Sequence, residues 1–226
     1  MGGQACVFYG AAEFSRDLDL LVLVEEEELN RLRSALADLN AEPVAVPELS
    51  AENLRHGHAV HFRCRRTDVN GLRIDLMSNL RGLPIFEELW ERRVTFEVAG
   101  EKIDVLALED LVLAKKTQRD KDWPMIRRLV EQSYFTRSDS LAPELIDFWL
   151  RELRTPELLI ELSRRYPDAA RRVSANRPVA SAALAEDLDR VTKSLEDEER
   201  AERSLDREYW EPLKRELEKL RRSRRM

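Results

Sequence analysis

The run FSRDLDLLVLV, from Phe14 to Val24, constrains the fold more than any other stretch of the chain. Successive side chains of a strand point to opposite faces, so Asp17 and Asp19 share one face while Leu18 and Leu20 share the other. Such a strand sits in a sheet with one apolar side covered and one side free to carry charge. Directly after it, EEEELNRLRSALADL at residues 25–39 spaces Leu29, Leu32, Leu36 and Leu39 three and four apart and crowds acids into the first turn, where the helix dipole favours them. A strand followed by an amphipathic helix predicts an α/β chain.

Further strands follow the same logic. Beyond a loop with Pro43 and Pro47, HAVHFRCRR at 58–66 and LRIDLM at 72–77 flank Asn70-Gly71, a short-range hairpin signal. RVTFEV at 93–98 and KIDVL at 102–106 form a second predicted hairpin through Ala99-Gly100-Glu101. After Leu106 the pattern turns helical, through LALEDLVLAKK and DWPMIRRLVEQ, then residues 141–166 and 181–222, which are separated by Asn176-Arg177-Pro178. The expected fold is a mixed, twisted sheet of about five strands with flanking helices over residues 1–135, followed by an α-helical region over 136–226. No internal repeat is present.

Composition sets the outer limits. A chain of 226 residues with 43% hydrophobic content can bury one sizeable core, and its 36% charged residues with only 7 glycines favour solvated helices. A net charge of -6 gives no global attraction to nucleic acid. Cys6 and Cys64 match neither a zinc spacing nor a disulfide framework, and neither a secretory leader nor a long apolar run is seen, so a reduced, cytoplasmic protein without a membrane partner is expected.

The chemistry is expected at the acids. Two carboxylates on one strand face and a third, Asp75, on another strand could hold magnesium, a hard cation that takes oxygen ligands and neutralises charge in phosphoryl and nucleotidyl transfer. Asp75 could instead be a surface acid paired with Arg73. His56, His58 and His61 read as ordinary strand histidines, because His58 and His61, three apart, face opposite sides. Cys64 reads as a small core residue. Lys115 and Lys116 either grip a triphosphate or cover an exposed helix face. KRELEKLRRSRRM at 214–226 is either a phosphate grip or a solvated helix end.

GGQACVFYGAAEFSRDLDL and LRIDLM together resemble the DNA polymerase β nucleotidyltransferase superfamily, whose pattern is a glycine pair, then Asp-x-Asp, then a later strand Asp. The resemblance implies that Gly2 and Gly3 let the backbone approach nucleotide phosphates and that Asp17, Asp19 and Asp75 bind Mg2+. It implies that Asp75 also helps activate the attacking hydroxyl. Many members carry Gly-Ser where this chain has Gly-Gly, and Ser15 is the hydroxyl that could substitute. The pair follows Met1 at once, whereas in the family a helix and a strand usually precede it, which implies either a misassigned start or the loss of an edge of the sheet. LALEDLVLAKKTQRDKDWPMI at 106–126 resembles bacterial minimal nucleotidyltransferases, including type IV abortive-infection toxins, with Lys115 or Lys116 and Asp122 as the matching positions. By resemblance, the protein moves a nucleoside monophosphate from a nucleoside triphosphate such as ATP to a hydroxyl of tRNA, protein or a small molecule, with an antitoxin as possible partner. The alternative is a non-catalytic binding or antitoxin-like protein of the same fold.

Overall fold

The computed structural model describes residues 1–137 and 142–223. The chain divides into two compact units, one made of described residues of Met1–Phe8, Ala12–Ala114 and Glu208–Met226, the other of Tyr9–Ala11 and Lys115–Arg207.

The first unit runs α1 (Gly2–Phe8), β1 (Asp17–Leu21), α2 (Glu26–Asp38), β2 (Glu42–Pro43), α3 (Ala51–Arg55), β3 (Val60–Arg63), β4 (Arg73–Met77), α4 (Phe86–Glu91), β5 (Val94–Val98), β6 (Glu101–Val105) and α5 (Leu108–Ala114). Four strands form one mixed sheet in the order β1-β4-β3-β2, with β1 parallel to β4 and the other pairs antiparallel. Its apolar face follows the two-residue period. Val60 and Phe62 of β3 and Ile74 and Leu76 of β4 are buried, and Leu29 and Leu36 of α2 with Leu54 of α3 pack on them. Leu18 and Leu20 of β1 join this cluster, and Cys64 is buried within it as a small apolar residue. Each fully buried leucine contributes about 1.5–3 kcal/mol relative to exposure, so this face fixes which way β1 is turned.

Both predicted hairpins form, with turns worth distinguishing. Val69–Leu72 closes with a 3.0 Å bond from Leu72 N–H to the Val69 carbonyl, and Asn70 (φ -58°) followed by Gly71 (φ +87°) makes this a type II turn at the end of a longer loop. Ala99 (φ +53°) and Gly100 (φ +85°) both lie in the left-handed region, as a two-residue I′ turn requires. The β5–β6 hairpin makes its own two-stranded sheet, where the sequence predicted that it would extend the main one. Phe96 of β5 stacks on Phe8 of α1 with ring centroids 5.4 Å apart. In its place β2, containing Pro43, pairs with β3; a proline lacks the N–H of a central strand and suits this edge.

The second unit is helical: α6 (Asp122–Arg137), α7 (Pro143–Glu152), α8 (Pro156–Arg165), α9 (Pro167–Ser174), α10 (Val179–Leu184) and the part to Arg207 of α11 (Leu188–Ser223). Three of these helices open on proline, whose missing N–H costs nothing in the first turn. Trp149 is fully buried, donates Nε1–H to Ser133 Oγ at 3.1 Å and meets Tyr134 edge-on. Arg177, also buried, donates to the carbonyls of Leu150 and Leu153 at 2.7 and 2.9 Å and pairs with Glu198 at 3.0 Å. Residues 138–141, where the predicted 141–166 segment begins, and 224–226, the end of the basic tail, lie outside the described residues. No described helix is long and apolar enough to cross a membrane.

Candidate active site

The polar face of the main sheet gathers the charge. In the β1–β4 ladder Asp19 stands opposite Asp75 and Asp17 opposite Arg73, and in the β3–β4 ladder His61 stands opposite Asp75 and Arg63 opposite Arg73. Adjacent strands are about 4.8 Å apart, so His61, Asp75 and Asp19 form one row across the sheet and Arg63, Arg73 and Asp17 the next. Period-two alternation keeps both rows opposite Ile74 and Leu76.

Asp75 is the most constrained member. Arg73 donates Nε–H to its Oδ1 at 2.8 Å, and His61 Nδ1 lies 2.8 Å from the same oxygen and 3.3 Å from Arg73 Nη2, so it donates to the carboxylate when protonated and accepts from the guanidinium when not. Both bonds fall on Oδ1. Burial pushes the Asp75 carboxyl up, but hydrogen bonds from His61 and Arg73, with the charge behind them, outweigh it and hold the group below the ordinary range. The hydrogen bond to Asp75 holds the Arg73 guanidinium above its usual value against partial burial, aided by the negative charge of Asp75, Asp17 and Asp19. Arg73 is thus a cation among three carboxylates, and its pairing with Asp75, one of the two contacts weighed for Asp75 in the sequence, is present.

Gly2 and Gly3 open α1 beside this row. A Cβ on Gly2, whose φ is +68°, would lie 1.9 Å from Asp19 Oδ2 and 2.6 Å from Asp19 Cβ. A Cβ on Gly3 would lie 2.4 Å from Ser15 Oγ. The backbone therefore approaches the acids more closely than any other residue type allows. Gly3 N–H points to Asp19 Oδ2 at 3.4 Å, and Ser15 donates its hydroxyl to the Asp17 carbonyl at 3.0 Å. The glycine pair, Ser15, Asp17, Asp19 and Asp75 thus all belong to the first unit.

Lys115 and Lys116 lie in the second unit, after the last residue of α5, so neither covers a helix face. Lys115 pairs with buried Asp122 at 3.2 Å, and Lys116 with Glu152 at 2.8 Å. Asp122 also accepts from Thr117 Oγ1 at 2.6 Å and Arg119 Nε at 2.7 Å, the kind of network that orders the entry to α6.

Sequence reasoning passed over His61. Its parity on β3 places it on the acid face, but only the β3–β4 register, which no local pattern prints, brings it to Asp75.

Residues 60–172, half of the chain, match a family described as "Nucleotidyl transferase of unknown function (DUF2204)", and the chain belongs to that family. The match takes in His61, Arg73 and Asp75, and begins after Asp17 and Asp19. No curated protein and no solved structure matches the chain. Family membership supports nucleotidyl transfer as the general class of function.

Proposed function

We propose that this chain transfers a nucleoside monophosphate from a nucleoside triphosphate to a hydroxyl acceptor, with Asp17, Asp19 and Asp75 as the ligands of two Mg2+ ions. The observation that carries the reading is the ladder register that sets Asp19 directly against Asp75, with Asp17 two residues away on the same face and the Gly2 backbone pressed over Asp19. The donor set is all carboxylate oxygen, the chemistry a hard divalent cation prefers. When bound, such ions neutralise the charge that develops on the attacking and leaving oxygens.

The chain's own residues do the rest. By resemblance the Gly2–Gly3 backbone faces the nucleotide phosphates, and Ser15, whose Oγ stands 2.4 Å from where a Cβ on Gly3 would lie, is the hydroxyl beside it. The acceptor oxygen bonds to the α-phosphorus, the bond from that phosphorus to the bridging oxygen breaks, and pyrophosphate leaves with those electrons while the acceptor's proton passes to solvent water. The depressed pKa of Asp75 keeps it ionised and makes it a better ligand than proton store. His61 and Arg73 position it through Oδ1, so Oδ2 carries neither of those bonds. Lys115 and Lys116 would contribute to a triphosphate only by releasing Asp122 and Glu152. A toxin-like role with an antitoxin partner rests on the resemblance of the FSRDLDL segment and of residues 106–126, and tRNA, protein or a small molecule as acceptor rests on the resemblance to the superfamily.

A second reading, a non-catalytic protein of the same fold, is favoured by one observation: among the described residues, Asp17, Asp19 and Asp75 are not a group whose ligand atoms all lie within 4.8 Å of one another. The two readings part in one experiment. Each α-labelled nucleoside triphosphate is incubated with Mg2+ and total tRNA or protein, using wild type and the Asp17→Ala/Asp19→Ala variant. Transfer of label that disappears in the variant is expected; transfer absent from both, at every nucleotide, overturns the enzymatic reading.

A further inference from the structure

We propose that His56, His58 and Glu216 form a second cation site in the first unit, one suited to a borderline transition metal such as Zn2+ and distinct from the aspartate face. His56 and His58 flank Gly57 just after α3, and the left-handed φ of +100° at Gly57 lets the chain turn both imidazoles to one side. Their Nε2 atoms lie 2.8 and 3.1 Å from the same oxygen, Oε2 of Glu216 on α11. These three residues are the one group among the described residues whose ligand atoms all lie within 4.8 Å of one another.

The donor set selects the metal. Two imidazoles and a carboxylate suit Zn2+ and its neighbours, whereas Mg2+ prefers oxygen alone. Bonds of about 2.0–2.1 Å in a tetrahedron separate ligand atoms by roughly 3.3 Å, so the two histidine–Glu216 spacings need to open by only a few tenths of an ångström. His56 and Glu216 have side chains 56% and 41% exposed, which leaves solvent to supply a fourth ligand.

The frame is already built. His58 is 4% exposed, and its Nδ1 is buried without a hydrogen-bond partner, so packing and Glu216 alone hold the ring. Glu216 is seated by Leu213 one turn earlier on α11, which is buried and whose Cδ1 lies 3.6 Å from where a Cβ on Gly57 would stand. Sequence positions 158 residues apart thus arrive with little left to order, and a cation here would clip the last described part of α11 to the turn between α3 and β3.

The test uses the untagged full chain, stripped with chelator and titrated with Co2+ and then Zn2+ in excess Mg2+. One equivalent of Co2+ with tetrahedral visible absorption, displaced by Zn2+ and accompanied by a rise in Tm, is the expected result. His56→Ala, at an exposed position, and Glu216→Gln, at a half-buried one, should each weaken binding by more than the roughly 10–100-fold that loss of an outer-shell partner costs, while Asp75→Asn leaves it unchanged. X-ray absorption at the zinc edge of the wild-type complex should report two imidazoles, which keeps the proposal testable if either variant fails to fold. No stoichiometric binding, binding undiminished in both variants, or loss in Asp75→Asn instead would overturn it.

Discussion

Replacing Gly2 by alanine drives a methyl group into Asp19. The new Cβ would start 1.9 Å from Oδ2, 2.4 Å from Cγ and 2.6 Å from Cβ of Asp19. Rotating the carboxylate relieves the first contact but not the last, so either Asp19 or the start of α1 must move. With the carboxylate rotated away, bringing the remaining 2.6 Å contact with Asp19 Cβ to ordinary contact at 3.4 Å requires a shift of roughly 0.8 Å. A displacement of about 1 Å in a catalytic group costs on the order of 100-fold in rate, so on the proposed role of Asp19 turnover of α-labelled nucleoside triphosphate should fall by roughly that factor. The left-handed backbone adds a separate cost of about 1–2 kcal/mol in stability for any L-residue. Gly82 isolates that cost, because its φ of +74° is almost that of Gly2 (+68°) while nothing lies within 4 Å of the Cβ it would gain. Gly82→Ala should therefore lose similar stability in a urea titration and keep its turnover. If the two variants lose turnover alike, the close approach of Gly2 to Asp19 has no part in catalysis and the placement of the site is wrong.

Two further outcomes concern the second unit. Burial raises the Asp122 carboxyl, but Lys115, Thr117 and Arg119 outweigh it and hold the folded-state pKa below the ordinary 3.8. Its contribution to stability is therefore complete above the unfolded pKa and lost as pH falls through the folded value, so urea midpoints measured from pH 5 to pH 2 should decline in wild type more steeply than in Asp122→Asn; equal slopes would rule this out. Arg177→Ala leaves the carbonyls of Leu150 and Leu153 without this donor and Glu198 with only the longer 3.5 Å contact to Arg154. Chemical denaturation should show a loss of about 3–5 kcal/mol, and a loss under 1 kcal/mol would mean that water replaces the arginine readily.

What the sequence reveals of this fold follows from which information is local. Asp17 and Asp19 on one face, Leu18 and Leu20 on the other, are legible because strand alternation is a property of neighbouring residues. The two hairpins are legible for the same reason, through Asn70-Gly71 and Ala99-Gly100. Which sheet a hairpin joins is decided by edges far away in sequence, and so β5–β6 pairs with itself while the short β2, with Pro43, takes the edge beside β3. The candidate site divides in the same way. Asp75 is visible as a strand acid, but the contact between His61 and Asp75 is set by ladder register. Lys115 and Lys116 continue the apolar-polar rhythm of α5 beyond the point where the helix stops, so their pairing with Asp122 and Glu152 has no local signature. His56 and His58 give no sign of Glu216, which arrives from a helix beginning at Leu188.

The register of β1 on β4 also limits how this lineage could lose its chemistry. A slip of one residue would carry Leu18 and Leu20 to the charged side and turn Asp17 and Asp19 into the cluster around Ile74 and Leu76. Insertions and deletions in β1 would thus destroy the fold along with the site. On the proposed role of the three aspartates, relatives that keep the architecture but abandon transfer should have done so by substitution at Asp17, Asp19 or Asp75, with the length of the strand preserved.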